Sequence, residues 1–230
     1  KGFSIVTYTG TNNQNVSYSH GLNQAPEMII TKRRDSTGNW GVYYTMNGTN
    51  TNWMMLNSND GQGNNASGTT PVGGSSGNYM YLHQDYFSPA YSAFANGGND
   101  GSSKMVAYMW HSVPGYSKFG KYTGNGSADG SFIFTGFRPA WVMIKKSSNA
   151  GGWTIWDNKR DSFNYGDRTL FPHTSDPEET GNQYERWDLL SNGIKLRANG
   201  RNVVNGETYI YMAFAEQPFT TPFGASSNAR

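Results

Sequence analysis

The run Pro139-Ala140-Trp141-Val142-Met143-Ile144-Lys145, followed by Trp153, has a counterpart 113 residues earlier: Pro26-Glu27-Met28-Ile29-Ile30-Thr31-Lys32, followed by Trp40. Each is a short apolar stretch, rich in β-branched and aromatic side chains, bounded by proline on one side and lysine on the other. A run of that length reads as a buried strand, because a helix needs about ten residues or more. Met105-Val106-Ala107-Tyr108-Met109-Trp110 and Tyr209-Ile210-Tyr211-Met212-Ala213-Phe214-Ala215 have the same character, and Val106 to Trp110 answers Ile210 to Phe214. Working outward, Gly2-Phe3-Ser4 answers Gly115-Tyr116-Ser117, Tyr8-Thr9-Gly10 answers Tyr122-Thr123-Gly124, and Ala95-Asn96-Gly97 answers Ala198-Asn199-Gly200. The order is kept throughout, so the chain reads as an internal duplication. A period near 110 residues means two tandem domains or two halves of one sandwich, since solenoid repeats run to roughly 20–50 residues.

Composition points the same way. Of 230 residues, 96 are Gly, Asn, Ser or Thr and only 7 are Leu, which excludes a helical bundle. Aromatics make up 15%, with 7 Trp, 15 Tyr and 12 Phe, and a disordered chain would lack them. Phe132-Ile133-Phe134 and Trp153-Thr154-Ile155-Trp156 are shorter strands. Turn signals lie between the runs at Thr37-Gly38-Asn39, Asn125-Gly126, Asn192-Gly193 and Asn205-Gly206. Tyr184 to Leu190 alone reads as a helical turn. The fold expected is all-β: two tandem, internally duplicated antiparallel β-sandwich units, jelly-roll-like. The first spans 1–113 with a loop insertion at 60–100, the second spans 114–219, and a polar tail occupies 220–230. The second unit carries its own insertion, Phe163 to Gln183, and insertions on a repeated scaffold map to loops where recognition is commonly placed.

Charge and motif exclude several functions. Eighteen basic and 16 acidic residues give +2, with no basic run beyond Lys32-Arg33-Arg34, too little for a nucleic-acid groove. No apolar stretch approaches membrane-spanning length, so membrane insertion is not expected. Without cysteine there is no disulfide and no thiolate metal site, and His20, His83, His111 and His173 lack ligand spacing. No metal and no cofactor are therefore expected. Gly124 to Gly130 looks superficially like a calcium or phosphate loop but lacks alternating acidic ligands, and reads as a hairpin turn. A start at Lys1, without an initiator methionine, is what a piece of a longer protein would show.

A glycosidase would need two carboxylates across a cleft. Asp157, Asp161, Asp167, Glu185 and Asp188 are the candidates, and Trp156-Asp157-Asn158-Lys159-Arg160 invites an Asp157–Arg160 pair that staples a turn. The expectation is a protein that is not an enzyme. Aromatics remain. Sugar rings stack on Trp and Tyr while their hydroxyls seek polar groups, so Trp53, Tyr81, Asp85 and Trp187 are the candidate ligand-binding residues. Trp40, Trp153, Trp110 and Trp141 read as core.

Gly115-Tyr116-Ser117-Lys118-Phe119-Gly120-Lys121-Tyr122-Thr123-Gly124 runs on through Phe134-Thr135-Gly136-Phe137-Arg138-Pro139 to a closing Tyr209-Ile210-Tyr211-Met212-Ala213-Phe214-Ala215-Glu216. This resembles the repeated module of tail-fibre and related virion structural proteins of marine bacteriophages, including those of cyanobacteria. Gln217-Pro218-Phe219 and Asn228-Ala229-Arg230 are similar to the C-termini of such proteins. The resemblance covers nearly all of the second unit and, more loosely, the first. It brings no catalytic residues. It implies a place on the virion exterior, in the tail or outer surface. It implies host attachment through a host-surface glycan or protein, contact with other virion structural proteins, and a homotrimer in the parent fibre. The alternatives are a purely structural spacer or, more remotely, a polysaccharide depolymerase.

Overall fold

A computed structural model describes residues 2–11, 16–45, 51–61, 80–89 and 101–217. The chain divides into two compact units, Lys1–His111 and Ser112–Arg230. The fold is all-β, with no helix among the described residues.

The first unit contains β1 (Phe3–Thr9), β2 (Tyr18–Ser19), β3 (Met28–Arg33), β4 (Trp40–Thr45), β5 (Thr51–Met55), β6 (Tyr81–Leu82), β7 (Tyr86–Ser88) and β8 (Lys104–Trp110). They form an antiparallel five-stranded sheet, β1-β8-β3-β4-β5, and a three-stranded one, β2-β7-β6. Strand side chains alternate between faces, so register decides the core. Met109, Ile29, Tyr43 and Trp53 stand in one cross-strand row. That row, with Tyr8, Met105 and Ala107, packs against Phe87, with Tyr18 and Leu82 at its margin.

The second unit contains β9 (Ser117–Thr123), β10 (Phe132–Phe134), β11 (Pro139–Lys146), β12 (Trp153–Asp157), β13 (Trp187–Leu190), β14 (Gly193–Leu196) and β15 (Thr208–Ala215). Its sheets run β12-β11-β15-β9 and β10-β14-β13, again antiparallel. Val142, Ile144, Trp156, Tyr209, Tyr211 and Ala213 of the larger sheet share a core with Ile133, Trp187, Leu189, Ile194 and Leu196 of the smaller.

Apart from β5, which has no counterpart among the described strands of the second unit, the two orders coincide: β1-β8-β3-β4 runs as β9-β15-β11-β12, and β2-β7-β6 as β10-β14-β13. The registers coincide too. Met28 faces Trp110 as Trp141 faces Phe214, and Lys32 faces Trp40 as Lys145 faces Trp153. In both units the lysine Nζ donates to a loop carbonyl, Gly38 at 2.7 Å and Gly151 at 2.5 Å, and lies over the tryptophan ring. Phe3 pairs with Trp110 and Ser117 with Phe214, so β1 and β9 correspond at 114 residues. Gly2-Phe3-Ser4 therefore falls one residue out of step with Gly115-Tyr116-Ser117.

Two local expectations give way. Tyr184 to Leu190 is no helical turn: Trp187 and Leu189 turn inward at alternate positions of β13, and pairing with β14 overrides local preference. Gly124 to Gly130 is no hairpin, because β9 pairs with β15 while β10 pairs with β14. The segment carries the chain from one sheet to the other. Asn125 holds it, accepting from Ser127 N at 3.2 Å and donating to Asp129 O at 2.9 Å. Most of the insertion at 60–100, and the tail at 220–230, lie outside the described residues.

Candidate functional site

Of the four aromatic and acidic residues singled out in the sequence, the two tryptophans are buried, each in the core of its own unit. Trp53 is 6% exposed in the core of the first unit, opposite Tyr43, so it offers no surface to a ligand. Trp187 is 1% exposed and stacks on Trp156, ring centroids 5.4 Å apart. Both corrections have one cause. An odd step along a strand turns a side chain inward whatever its polar neighbours, and Asn52 and Asp188 mask that parity in the sequence. Asp85 is exposed in the turn between β6 and β7, where its carbonyl accepts from His20 N and Ser19 Oγ. Tyr81 lies on β6, and its side chain is outside what the structure describes.

The candidate carboxylates of the second unit are mostly enlisted in holding loops. Asp157 caps the amides of Lys159 and Arg160, both at 2.9 Å, and meets the Arg160 guanidinium, the stapled turn the sequence suggested. Asp161 accepts from the amides of Asp167 and Arg168, and Asp188 pairs with Arg197 at 2.5 Å. Glu185 has a side chain 2% exposed and accepts from Arg201 N at 3.0 Å and Asn202 Nδ2 at 2.9 Å, with Arg201 Nε also at 3.0 Å. Burial pushes its carboxyl up to about 7 despite the arginine, because desolvation of the charged form outweighs the attraction. A carboxylate so enclosed locks the loop leading to β15. Two of the histidines have structural partners: His20 Nδ1 accepts from Leu22 N at 3.0 Å, and His173 Nδ1 accepts from Trp153 N at 3.2 Å. Among the described residues no group of three or more metal-ligating side chains comes together.

A different surface carries exposed aromatics. The insertion after β12 runs back beside β13, where Gly166 and Trp187 exchange backbone hydrogen bonds at 2.8 and 3.1 Å. Gly166 is required there: a Cβ would stand 2.3 Å from the Trp187 ring. Two residues before it, the Asn164 side chain donates to Leu189 O at 3.2 Å and accepts from Leu189 N at 3.0 Å, satisfying edge groups of β13. The segment is thereby pinned, and its alternate residues Phe163 and Tyr165 turn to solvent, 85% and 51% exposed. The Arg186 guanidinium lies over the Tyr165 ring, 4.5 Å from its centroid. Tyr184, 58% exposed, lies two residues before Arg186. An aromatic face, a cation and a fixed backbone are the ingredients of a recognition surface for ring-shaped polar ligands.

Sequence reading marked this insertion as a loop but could not place Tyr165 against Arg186, because the Gly166–Trp187 bridge spans 21 residues. The available signal was Phe163-Asn164-Tyr165-Gly166, two aromatics alternating with small or polar residues inside an insertion.

Comparison with curated proteins returned no match, and comparison with solved structures returned none. One family matches, and it matches residues 1–218, a span that takes in both units and every described strand. The chain belongs to the DUF7483 family, described as a domain of unknown function.

Proposed function

We propose that the chain is a non-catalytic recognition module on the exterior of a virion, contributing to attachment through a host-surface glycan. The observation that carries the binding half is the pinned segment that presents Phe163 and Tyr165 to solvent beside Arg186. Exposed aromatic side chains on a preordered backbone lose little entropy on binding and stack on the apolar faces of sugar rings. The enlisted state of the second unit's carboxylates supports the non-catalytic half: Asp157, Asp161, Glu185 and Asp188 all hold backbone or arginine partners. The resemblance to phage tail-fibre modules supports the location, and the shared strand order of the two units supports reading them as one repeated unit.

A single site of this size is weak, with a Kd on the order of 0.1–1 mM. Presentation in several copies on a fibre raises avidity by roughly 10²–10⁴ without new contacts. The test is a glycan array probed with the chain fused to a multimerising tag. The expected result is binding that is lost in the double variant Phe163→Ala/Tyr165→Ala while its melting temperature is kept. No binding, or equal binding by that variant, turns the reading toward a structural spacer. Sugar release from a bound polysaccharide would overturn the non-catalytic half.

A further inference from the structure

We infer that the surface around Tyr165 recognises an acidic saccharide, with Arg186 as the residue that reads the carboxylate or sulfate group. The inference rests on the glycan-recognition reading above and specifies its ligand.

Among the described residues the second unit has six arginines, and five have a carboxylate partner. Arg138 meets Glu216, Arg160 meets Asp157 and Glu178, Arg168 meets Asp161, Arg197 meets Asp188, and Arg201 meets Glu179 and Glu185. Among the described residues only Arg186 of these six lies within 4.0 Å of no carboxylate. Asp167, beside the Gly166–Trp187 bridge, does not reach it, and Asp161 and Asp188 are taken by Arg168 and Arg197. The guanidinium is instead held over the Tyr165 ring, and its Nε is buried with no hydrogen-bond partner. Its charge is balanced by no carboxylate of the described residues, and the contact it has is the face of the Tyr165 ring.

Geometry and charge then select the ligand. A guanidinium is a planar fork that takes two oxygens of one carboxylate or sulfate, and stacking on Tyr165 fixes the plane in which it does so. Tyr165, half exposed, supplies an apolar face beside that fork, and Phe163 stands exposed two residues away. A simple inorganic anion would use the fork and leave the aromatic face idle. A neutral sugar would use the face and leave the fork without its acceptor. A sugar ring bearing an anionic substituent uses both.

The experiment compares the whole chain with Arg186→Gln, Arg186→Lys and Tyr165→Ala for binding to polygalacturonate, methyl-esterified polygalacturonate, dextran sulfate, dextran and polyglutamate, with melting temperatures recorded throughout. The expected result is binding to polygalacturonate or dextran sulfate, or both, and about tenfold weaker binding to the uncharged counterpart. Preference for one charged polymer assigns carboxylate or sulfate. Arg186→Gln should remove the preference for charge at unchanged melting temperature. Arg186→Lys should restore part of the affinity, because the charge returns without the fork. Raising the salt concentration should weaken binding to the charged polymers and leave any binding to the neutral ones unchanged. Equal binding of charged and neutral polymers overturns the acidic assignment while leaving glycan recognition standing. Binding to none of the four saccharides overturns both. Polyglutamate bound as tightly as the acidic saccharides overturns the saccharide and leaves a bare anion site, as does an unaffected Tyr165→Ala variant.

Discussion

At the scale of the residue, the tryptophans and Glu185 show how little local context says about burial. Trp187 stacks on Trp156 and covers Gly166, so Trp187→Ala should cost about 3–5 kcal/mol, read as a shift in the urea midpoint, as expected for an emptied aromatic site in a core. A surface role would cost little stability and is excluded by that outcome. Glu185 supplies a pH signature. Its folded value of about 7 lies above the ordinary 4.5, so the folded chain holds a proton that the unfolded chain has released. The stability it contributes is complete below about pH 4.5 and is lost as pH rises through 7, in total about 3 kcal/mol. Denaturation at a series of pH values should show that decline in the wild type, and Glu185→Gln should flatten it. Parallel curves for wild type and variant would mean that burial and the Arg201 pairing cancel at this carboxyl, and a wild type that gains stability as Glu185 ionises would mean that the pairing governs it.

At the scale of the element, the outer strands of the two larger sheets differ in a way their sequences show. β9 carries Lys118 and Lys121, charges that discourage a second strand from pairing with an open edge. β1, Phe-Ser-Ile-Val-Thr-Tyr-Thr, carries none. Gly2 and Gly10 bond toward β8, so alternate residues Phe3, Ile5 and Thr7 turn their amides and carbonyls the other way, and Thr9 O accepts from Tyr18 Oη at 2.6 Å. The Phe3 and Ile5 side chains are exposed on that strand. Ile5→Lys should therefore reduce concentration-dependent light scattering while changing stability by no more than about 0.5 kcal/mol. Unchanged scattering would show that association, if any, proceeds elsewhere. The strands themselves were legible because each is a short apolar run between turn residues. Met28 to Thr31, Trp141 to Ile144, Val106 to Trp110 and Ile210 to Phe214 are all central strands covered on at least one face. What stayed hidden was parity in polar-flanked strands, which cost Trp53 and Trp187 their expected exposure, and pairing across loops, which alone brings Tyr165 to Arg186.

At the scale of the whole molecule, the two units each have their own core and, β5 apart, run their strands in one order. The paired lysines of that common plan have a practical consequence. Lys145 is fully covered and its amine is committed to the Gly151 carbonyl, and Lys32 is half-buried with its amine on Gly38 O. An acylating reagent attacks only an unprotonated, accessible amine, so these two should resist modification while exposed Lys159 reacts at once. Each becomes reactive only when the hairpin over it opens, which makes acylation rate a local clock of that opening. Peptide mass spectrometry over time should place Lys145 last, at least about tenfold behind Lys159. With one such amine in each unit, a single labelling experiment would time the opening of the two separately, without any introduced probe.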